Sequence, residues 1–253
     1  MVMIVSYGGG LNSTALLIGM SRTEERPAAI LFADTGGERP QTYDYIEMFS
    51  GWLQERGFPE ITRVRAGFAR YATLEDNCLV NRTLPSIAFG FKTCSHKWKK
   101  EPQEKWANDW QPAKDTWAAG SKVTKCIGYD ADEWHRAKIP EDSKYVYRYP
   151  LVEWDWGRND CAEAVKLAGL PDPGKSACFF CPSSKKHEIR YLMKNNPDLF
   201  ARAVAMEENA AENLGVVQGL GRHWSWKQFA IADRAQLKLF DEVPDAPCGC
   251  YDG

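Results

Sequence analysis

The segment MIVSYGGGLNSTALLIGM, residues Met3–Met20, joins a short apolar run to three glycines and then to a helical pattern. Val2–Tyr7 predicts a buried strand, and Ser13–Met20 predicts a helix. A strand, a glycine-rich turn and a helix N-terminus can bind an anion, because glycine lets the backbone approach a phosphate and the first helical N–H groups point toward it. The alternative is a tight turn in which glycine only relieves strain.

The pattern continues beyond this segment. Ala28–Ala33, Ile61–Val64 and Lys122–Gly128 predict further strands, and Pro40–Arg56 predicts a helix between two of them. This alternation predicts an α/β fold with a doubly wound, mostly parallel sheet. Further helices are expected at 157–170, 184–195, 197–214 and 225–240, whereas residues 68–115 are less periodic. We expect an α/β nucleotide-binding domain over residues 1–150 and a helical, cysteine-containing region over residues 151–253.

The bulk composition is that of an ordinary globular protein. The 253 residues are 44% hydrophobic and carry a net charge of -2, so the overall charge does not indicate a nucleic-acid-binding protein. The N-terminus has no signal-peptide pattern, and no apolar run approaches the roughly 20 residues that span a bilayer. A cytoplasmic protein with no membrane partner is therefore expected.

The glycine turn matches neither of two common phosphate-binding motifs, because it lacks the Walker A lysine and the G-x-G-x-x-G spacing. It resembles the PP-loop of ATP pyrophosphatases and adenine nucleotide α-hydrolase-like enzymes, S-G-G-x-D-S. Gly9, Gly10 and Ser13 match that pattern, while Gly8 replaces its first serine and Asn12 replaces its aspartate. The resemblance implies that the loop binds the phosphates of ATP or a related adenine nucleotide.

A second segment, FADTGGERPQT (Phe32–Thr42), is similar to the D-T-G-x-x-x-P-x-T segment of phosphoadenosine phosphosulfate (PAPS) reductases. It follows the second predicted strand, so Asp34 lies at a carboxyl end, where ligands of open α/β sheets bind. The resemblance implies that Asp34 contacts Mg²⁺ or a nucleotide hydroxyl. The alternative is an aspartate that only stabilises a turn.

A third segment, IGYDADEWHR (Ile127–Arg136), resembles the family pattern I-G-x-R-x-x-E-x-x-R. Gly128, Glu133 and Arg136 match, whereas Asp130 stands in place of the arginine. Arg136 would stabilise phosphate or sulfate charge. Alternatively, Glu133 and Arg136 pair with each other across one helical turn.

The three segments, together with Lys99 of the segment Lys92–Lys100, give two sets of expected site residues. The expected nucleotide-binding residues are Ser6, Tyr7, Gly8, Gly9, Gly10, Asn12, Ser13, Thr14, Asp34, Thr35 and Gly36. The expected catalytic residues are Asp34, Lys99, Glu133 and Arg136.

Cysteine spacing indicates a metal site. Cys178 and Cys181 form a C-x-x-C turn, which lets two sulfurs reach one metal, although a redox dithiol or two buried thiols would have the same spacing. The segments KTCSHKWKKEP, RNDC and KSACFFCP resemble PAPS reductase-like proteins. That resemblance implies one site formed by Cys94, Cys161, Cys178 and Cys181, with a [4Fe–4S] cluster expected and zinc as the alternative. Cys248 and Cys250 are a further candidate ligand or redox pair.

The segment Lys92–Lys100 combines lysines with His96 and Trp98. Such a pattern can bind nucleic acid or a nucleoside substrate through phosphate contacts and stacking, or hold the phosphates of a small nucleotide. The alternative is a solvated helix face. Most of the ten tryptophans are expected to be packing residues.

The chain is identified as a PAPS reductase-like member of the PP-loop superfamily. The resemblance implies an enzyme that adenylates a substrate or transfers sulfur in nucleic-acid or nucleoside modification. One alternative is a PAPS or adenylylsulfate reductase with Cys248 or Cys250 as nucleophile. The other is a non-catalytic nucleotide- or nucleic-acid-binding module with a structural metal.

Overall fold

The computed structural model describes residues 1–235, and within them five parallel strands form one sheet in the order β3-β2-β1-β4-β5. The strands are β1 (Met3–Ser6), β2 (Ala29–Ala33), β3 (Ile61–Val64), β4 (Val123–Ile127) and β5 (Tyr145–Arg148). Val5 of β1 lies between Ile30 of β2 and Cys126 of β4. The strand order therefore reverses between β1 and β4, where the carboxyl ends of the strands leave a crevice.

Helices connect and cover the strands. The longer α-helices are α1 (Leu11–Ser21), α2 (Pro40–Gln54), α5 (Glu101–Asp109), α6 (Gln111–Ala118), α8 (Arg158–Leu167), α9 (Lys186–Asn195), α10 (Pro197–Ala210) and α11 (Trp226–Ala235). The shorter ones are α3 (Leu74–Val80), α4 (Thr93–Ser95) and α7 (Pro150–Glu153). Short 3₁₀ helices cover Ser86–Phe89, Ala131–Arg136 and Ala211–Asn213, and His96–Lys100 forms a π-helical turn.

Both faces of the sheet are covered, as in doubly wound α/β folds. Successive residues of β1 alternate between the faces: Val5 belongs to the hydrophobic cluster under α1, α2 and α8, whereas Ile4 belongs to the cluster under α5 and α6. Trp106, Trp110 and Trp117 pack against this second cluster. Their packing role confirms the interpretation that tryptophans here mainly fill space.

A third hydrophobic cluster lies beside the sheet, and we call it the cysteine cluster. Its buried members come from α3, from the turn Ala177–Cys181 and from helices α9, α10 and α11. Residues from before and after position 150 therefore share this core. Conversely, α8 packs on α1 and completes the first face of the sheet. Residues on both sides of the expected boundary at residue 150 therefore contribute to the same hydrophobic cores.

The region that is less periodic in sequence is largely helical. Residues 74–118 form α3 to α6 with the intervening 3₁₀ and π turns, although their apolar periodicity is weak. The edge strand β5 was not predicted from the sequence. No helix within residues 1–235 is long and apolar enough to cross a membrane.

Candidate functional site

The glycine turn lies at the crevice where the strand order reverses. Gly9 has φ of +80°, and a Cβ there would lie 3.3 Å from Ser176 Oγ and 3.4 Å from both Phe32 and Thr42. A side chain at Gly9 would therefore be strained by the backbone and crowded from three sides. Helix α1 begins directly after Gly10, and among the described residues no side chain caps it. The first N–H groups of α1 are thus left to water or a ligand.

Three of the expected nucleotide-binding side chains turn into the protein. The Ser6 hydroxyl donates to Gln103 Oε1 at 2.7 Å, and both residues are buried. The hydroxyls of Tyr7 and Thr14 lie 3.2 Å apart in the core. These hydrogen bonds hold the loop in place. The groups of this turn that remain available to bind a phosphate are therefore mainly backbone N–H groups.

Gly128 brings the end of β4 against the first turn of α1. A Cβ at this position would lie 2.9 Å from Ser13 Cα and 3.0 Å from Ser13 N. Both are backbone atoms that cannot move aside as a side chain can. Glycine at position 128 therefore lets β4 and α1 approach closely at the crevice.

Asn12 hydrogen-bonds the glycine turn to the segment Ile127–Arg136. Its Nδ2 donates to Asp130 Oδ2 at 2.8 Å and lies 3.5 Å from Glu133 Oε2. The Asp130 carboxylate also accepts from the Glu133 backbone N–H at 3.0 Å, and Glu133 forms an ion pair with Arg136. An aspartate at position 12 would place a third carboxylate here, whereas the asparagine amide donates a hydrogen bond.

Two of the three departures from the resembled patterns, Asn12 and Asp130, are therefore hydrogen-bonded to each other. Asn12 Oδ1 is buried without a hydrogen-bond partner among residues 1–235. An unmet buried acceptor is costly, so this oxygen is a point where a ligand or water could donate.

Asp34 lies at the end of β2 and is almost fully buried. Arg65 donates to its Oδ2 from Nε at 3.0 Å and from Nη2 at 2.6 Å. Tyr43 OH at 2.7 Å and Gly36 N–H at 2.8 Å donate to its Oδ1. Burial raises the pKa of the Asp34 carboxyl, but these hydrogen bonds outweigh burial and hold it below its usual value. A bound cation would have to compete with these four donors.

Thr35 and Gly36 join the strand end to neighbouring elements. Gly36 has φ of +73°, and a Cβ there would lie 2.3 Å from Thr73 Cγ2, just before α3. The Thr35 hydroxyl lies 3.1 Å from Cys178 Sγ. The segment expected to bind nucleotide thus also orients α3 and the cysteine turn.

The cysteine turn folds back over the glycine loop. Ser176 Oγ donates a short hydrogen bond to the Gly8 carbonyl, and it lies 3.4 Å from Glu38 Oε2. Cys178 pairs with Glu38 through an isolated antiparallel bridge, and Cys181 N donates to Cys178 O at 2.9 Å. The glycine turn and the thiols are therefore neighbours.

A small cavity of about 40 Å³ brings together Cys94, Cys178 and Cys181 with Lys99 and Ser176. Lys99 Nζ lies 3.9 Å from Glu38 Oε1, and both side chains are largely buried. Burial raises the pKa of Glu38, and Lys99 offsets part of that rise. Lys99 is thus placed to supply positive charge next to the thiols.

Cys161 does not reach this cavity. It lies on α8 in the hydrophobic cluster that covers α1, whereas the other three expected ligands belong to the cysteine cluster. The helical spacing of α8 directs Cys161 toward α1 together with Ala164 and Val165. In residues 1–235, no group of three or more histidine, cysteine, aspartate or glutamate side chains is already arranged for a metal ion.

The basic segment is mostly engaged within the protein. His96 Nδ1 lies 2.9 Å from Glu101 Oε1, and Lys100 forms an ion pair with Glu104 at 3.5 Å. Trp98 is buried against Phe68, with ring centroids 4.9 Å apart, so it is not a stacking surface. Cys248 and Cys250 lie outside the described residues.

Sequence reasoning missed Ser176, Glu38 and Arg65. Ser176 and Glu38 lie inside segments that carry the resemblance, and their position close to Cys178 and Gly37 was the available signal. No local pattern indicated Arg65. Comparisons with protein-family models and with curated proteins give no match, so the functional argument depends on this geometry.

Proposed function

We propose that this protein is a PP-loop enzyme that binds ATP or a related adenine nucleotide at the turn Gly8–Asn12. It would use the nucleotide to adenylate a substrate or to transfer sulfur in nucleic-acid or nucleoside modification. The observation that carries the proposal is the uncapped start of α1, which lies at the strand-order reversal with the Gly128 backbone against it. Such a helix start favours phosphate through its N–H groups and its dipole.

The charged residues around the turn have distinct proposed roles. Lys99 and Arg136 would stabilise negative charge that develops during the reaction. Mg²⁺ would bind chiefly through nucleotide phosphates, helped by one or two carboxylates. Asn12, in the first turn of α1, contacts both Asp130 and Glu133, whereas Asp34 is engaged by Arg65 and Tyr43. The main proposed role of Asp34 is therefore to hold the site in shape. Its contact with the nucleotide is a secondary role.

The cysteine cavity would hold a metal group, and its donor chemistry fits one. Cys94, Cys178 and Cys181 offer soft thiolate donors around one cavity, which suits a [4Fe–4S] cluster or zinc. Bound there, an iron–sulfur cluster would supply electron transfer or sulfur chemistry beside the nucleotide. Cys94 and the C-x-x-C turn would hold it, and Lys99 would balance thiolate charge.

Nucleotide binding is tested by calorimetry with ATP, ADP and AMP in the presence of Mg²⁺. Gly9→Ala is expected to weaken ATP binding at least about tenfold, because it distorts the turn. Gly57→Ala is the matched control: Gly57 also has positive φ, at +76°, but a Cβ there would meet nothing within 4 Å. Equal ATP affinity of Gly9→Ala and Gly57→Ala would contradict the loop assignment.

The reaction is tested with the same protein. Pyrophosphate release from ATP with a candidate acceptor supports adenylation, whereas sulfite release from PAPS or adenylylsulfate with a thiol reductant supports the reductase alternative. Nucleotide binding without turnover on any of these substrates supports the non-catalytic module.

A further inference from the structure

We propose that Cys78 completes the cysteine site as its fourth thiol, in the place that the sequence patterns assign to Cys161. The site would then consist of Cys78, Cys94, Cys178 and Cys181. This inference rests on the proposed metal at that site, and it concerns which residues of the chain hold the metal.

The first support is the shared core. Cys78 lies on α3 and is almost fully buried in the cysteine cluster, as are Cys178 and Cys181, with Cys94 packed against them. Cys161 lies in the other cluster, under α1. Among the six cysteines of residues 1–235, these four therefore share one hydrophobic environment.

The second support is a pair of adjoining cavities. Cys94 lines the 40 Å³ cavity with Cys178 and Cys181, and it also lines a second cavity of about 220 Å³ with Cys78. Leu74 and Pro85 contribute to the walls of both. Cys94 thus stands between Cys78 and the C-x-x-C turn. In residues 1–235 no three of these ligands converge, so metal binding would require the thiols to move toward one another.

The third support is that hydrogen bonds hold the elements carrying these thiols to each other. The Thr35 carbonyl accepts from Leu74 N, at the start of α3, at 3.0 Å, while the Thr35 hydroxyl lies 3.1 Å from Cys178 Sγ. The Cys94 N–H donates to Ser86 Oγ at 2.7 Å. Thr35 therefore fixes α3, with Cys78, relative to the cysteine turn.

Four thiolates satisfy tetrahedral zinc or the four irons of a [4Fe–4S] cluster. On binding, each S–H bond breaks, a sulfur–metal bond forms and the proton passes to solvent. The step involves no change of oxidation state of the thiols. The metal source is zinc ion, or a cluster assembled from iron and sulfide.

The test compares Cys78→Ala with Cys161→Ala, which both remove a buried helical thiol. The proteins are purified anaerobically, and iron, acid-labile sulfide and zinc are measured per chain. Affinity is measured by chelator competition. Even residues that only hydrogen-bond to a metal ligand contribute about 10- to 100-fold to metal affinity. Loss of a ligand itself should therefore lower the metal affinity at least about tenfold. We expect that loss for Cys78→Ala and the wild-type affinity for Cys161→Ala.

Wild-type metal content and an unchanged absorption spectrum in Cys78→Ala would overturn the inference, as would metal loss in Cys161→Ala alone. Cys78→Ser and far-ultraviolet circular dichroism check that lost metal does not reflect an unfolded chain: folded Cys78→Ser without metal supports the inference, and folded Cys78→Ser with full metal overturns it. If wild-type protein holds no metal, the inference fails together with the metal part of the proposed function. ATP affinity, measured on the same samples, reports the nucleotide part separately.

Discussion

Gly128 shows how one missing Cβ sets the distance between two elements. The end of β4 contacts the Ser13 backbone, and a methyl group would approach it to 2.9 Å. Gly128→Ala is expected to lower the free energy of unfolding by about 1–3 kcal/mol, because the overpacked backbones must move apart. Chemical denaturation measures this change.

The matched control is Gly51→Ala, in the exposed part of α2, where a Cβ would meet nothing within 4 Å. It should raise stability by about 0.5–1 kcal/mol, because alanine favours a helix over glycine. A Gly128→Ala protein as stable as the wild type would show that β4 and α1 are not in this close contact.

The lowered pKa of the Asp34 carboxyl predicts that the stability of the protein depends on pH. Its folded-state pKa lies below the unfolded value of about 3.9, so its contribution is present above that pH and is lost as pH falls through the folded pKa. Asp34→Asn should lower stability near neutral pH by about 1–3 kcal/mol, since it removes charge-assisted hydrogen bonds. Because the Arg65 side chain is largely exposed, solvent screens its ion pair with Asp34, and this pair accounts for less of the lost stability.

Urea unfolding of Asp34→Asn and wild type is compared between about pH 7 and pH 3. The difference between the two proteins should shrink toward the acid end. Glu47→Gln is the control, because its ion pair with Arg63 is largely exposed. A difference for Asp34→Asn that stays constant with pH would contradict an ionised, hydrogen-bonded Asp34.

At the scale of elements, one buried carboxylate attaches α11 to α10. Glu207 of α10 accepts from the backbone N–H groups of Leu220 at 2.8 Å, Trp226 at 2.9 Å and Lys227 at 3.3 Å. It also accepts from the Ser225 hydroxyl. The turn before α11 and the first turn of that helix therefore depend on a single side chain.

Glu207→Ala is expected to cost at least about 2 kcal/mol, because it leaves several buried donors without an acceptor. Glu208→Ala is the control at the neighbouring position: the Glu208 carboxylate pairs with Lys227 at the surface, and its loss should change stability by less than about 0.5 kcal/mol. Thermal unfolding compares them. Equal effects of the two substitutions would show that Glu207 does not anchor α11.

For the whole molecule, the shared cores predict that a fragment of residues 1–150 does not fold alone. Leu151, Cys161, Ala164 and Val165 are buried in the cluster that covers α1. Without α8 the apolar side of α1 would face water, which opposes folding. Circular dichroism during urea titration should show no cooperative transition for this fragment, whereas the full chain gives one. A cooperative transition of the fragment would mean that α8 is dispensable.

Much of the α/β unit was predictable. The strands β1 to β4 and the helices α1, α2 and α8 follow from buried apolar runs, glycine and proline boundaries and helical spacing. The helices of residues 74–118 were not predicted, because their buried face is narrow and interrupted by polar residues. The edge strand β5 has only Tyr145 fully buried, so its alternation is weak.

Residues a few positions apart are enough to specify the α/β alternation, the glycine turn at a strand end and the C-x-x-C pair. The tertiary fold then sets which distant groups meet. Asn12 joins Asp130 across 118 positions, Thr35 reaches Cys178 across 143, and Cys161 packs against α1 while Cys78 lies in the same hydrophobic cluster as Cys178 and Cys181. The physical reason is that periodicity predicts which side of an element is buried, whereas packing decides what it is buried against.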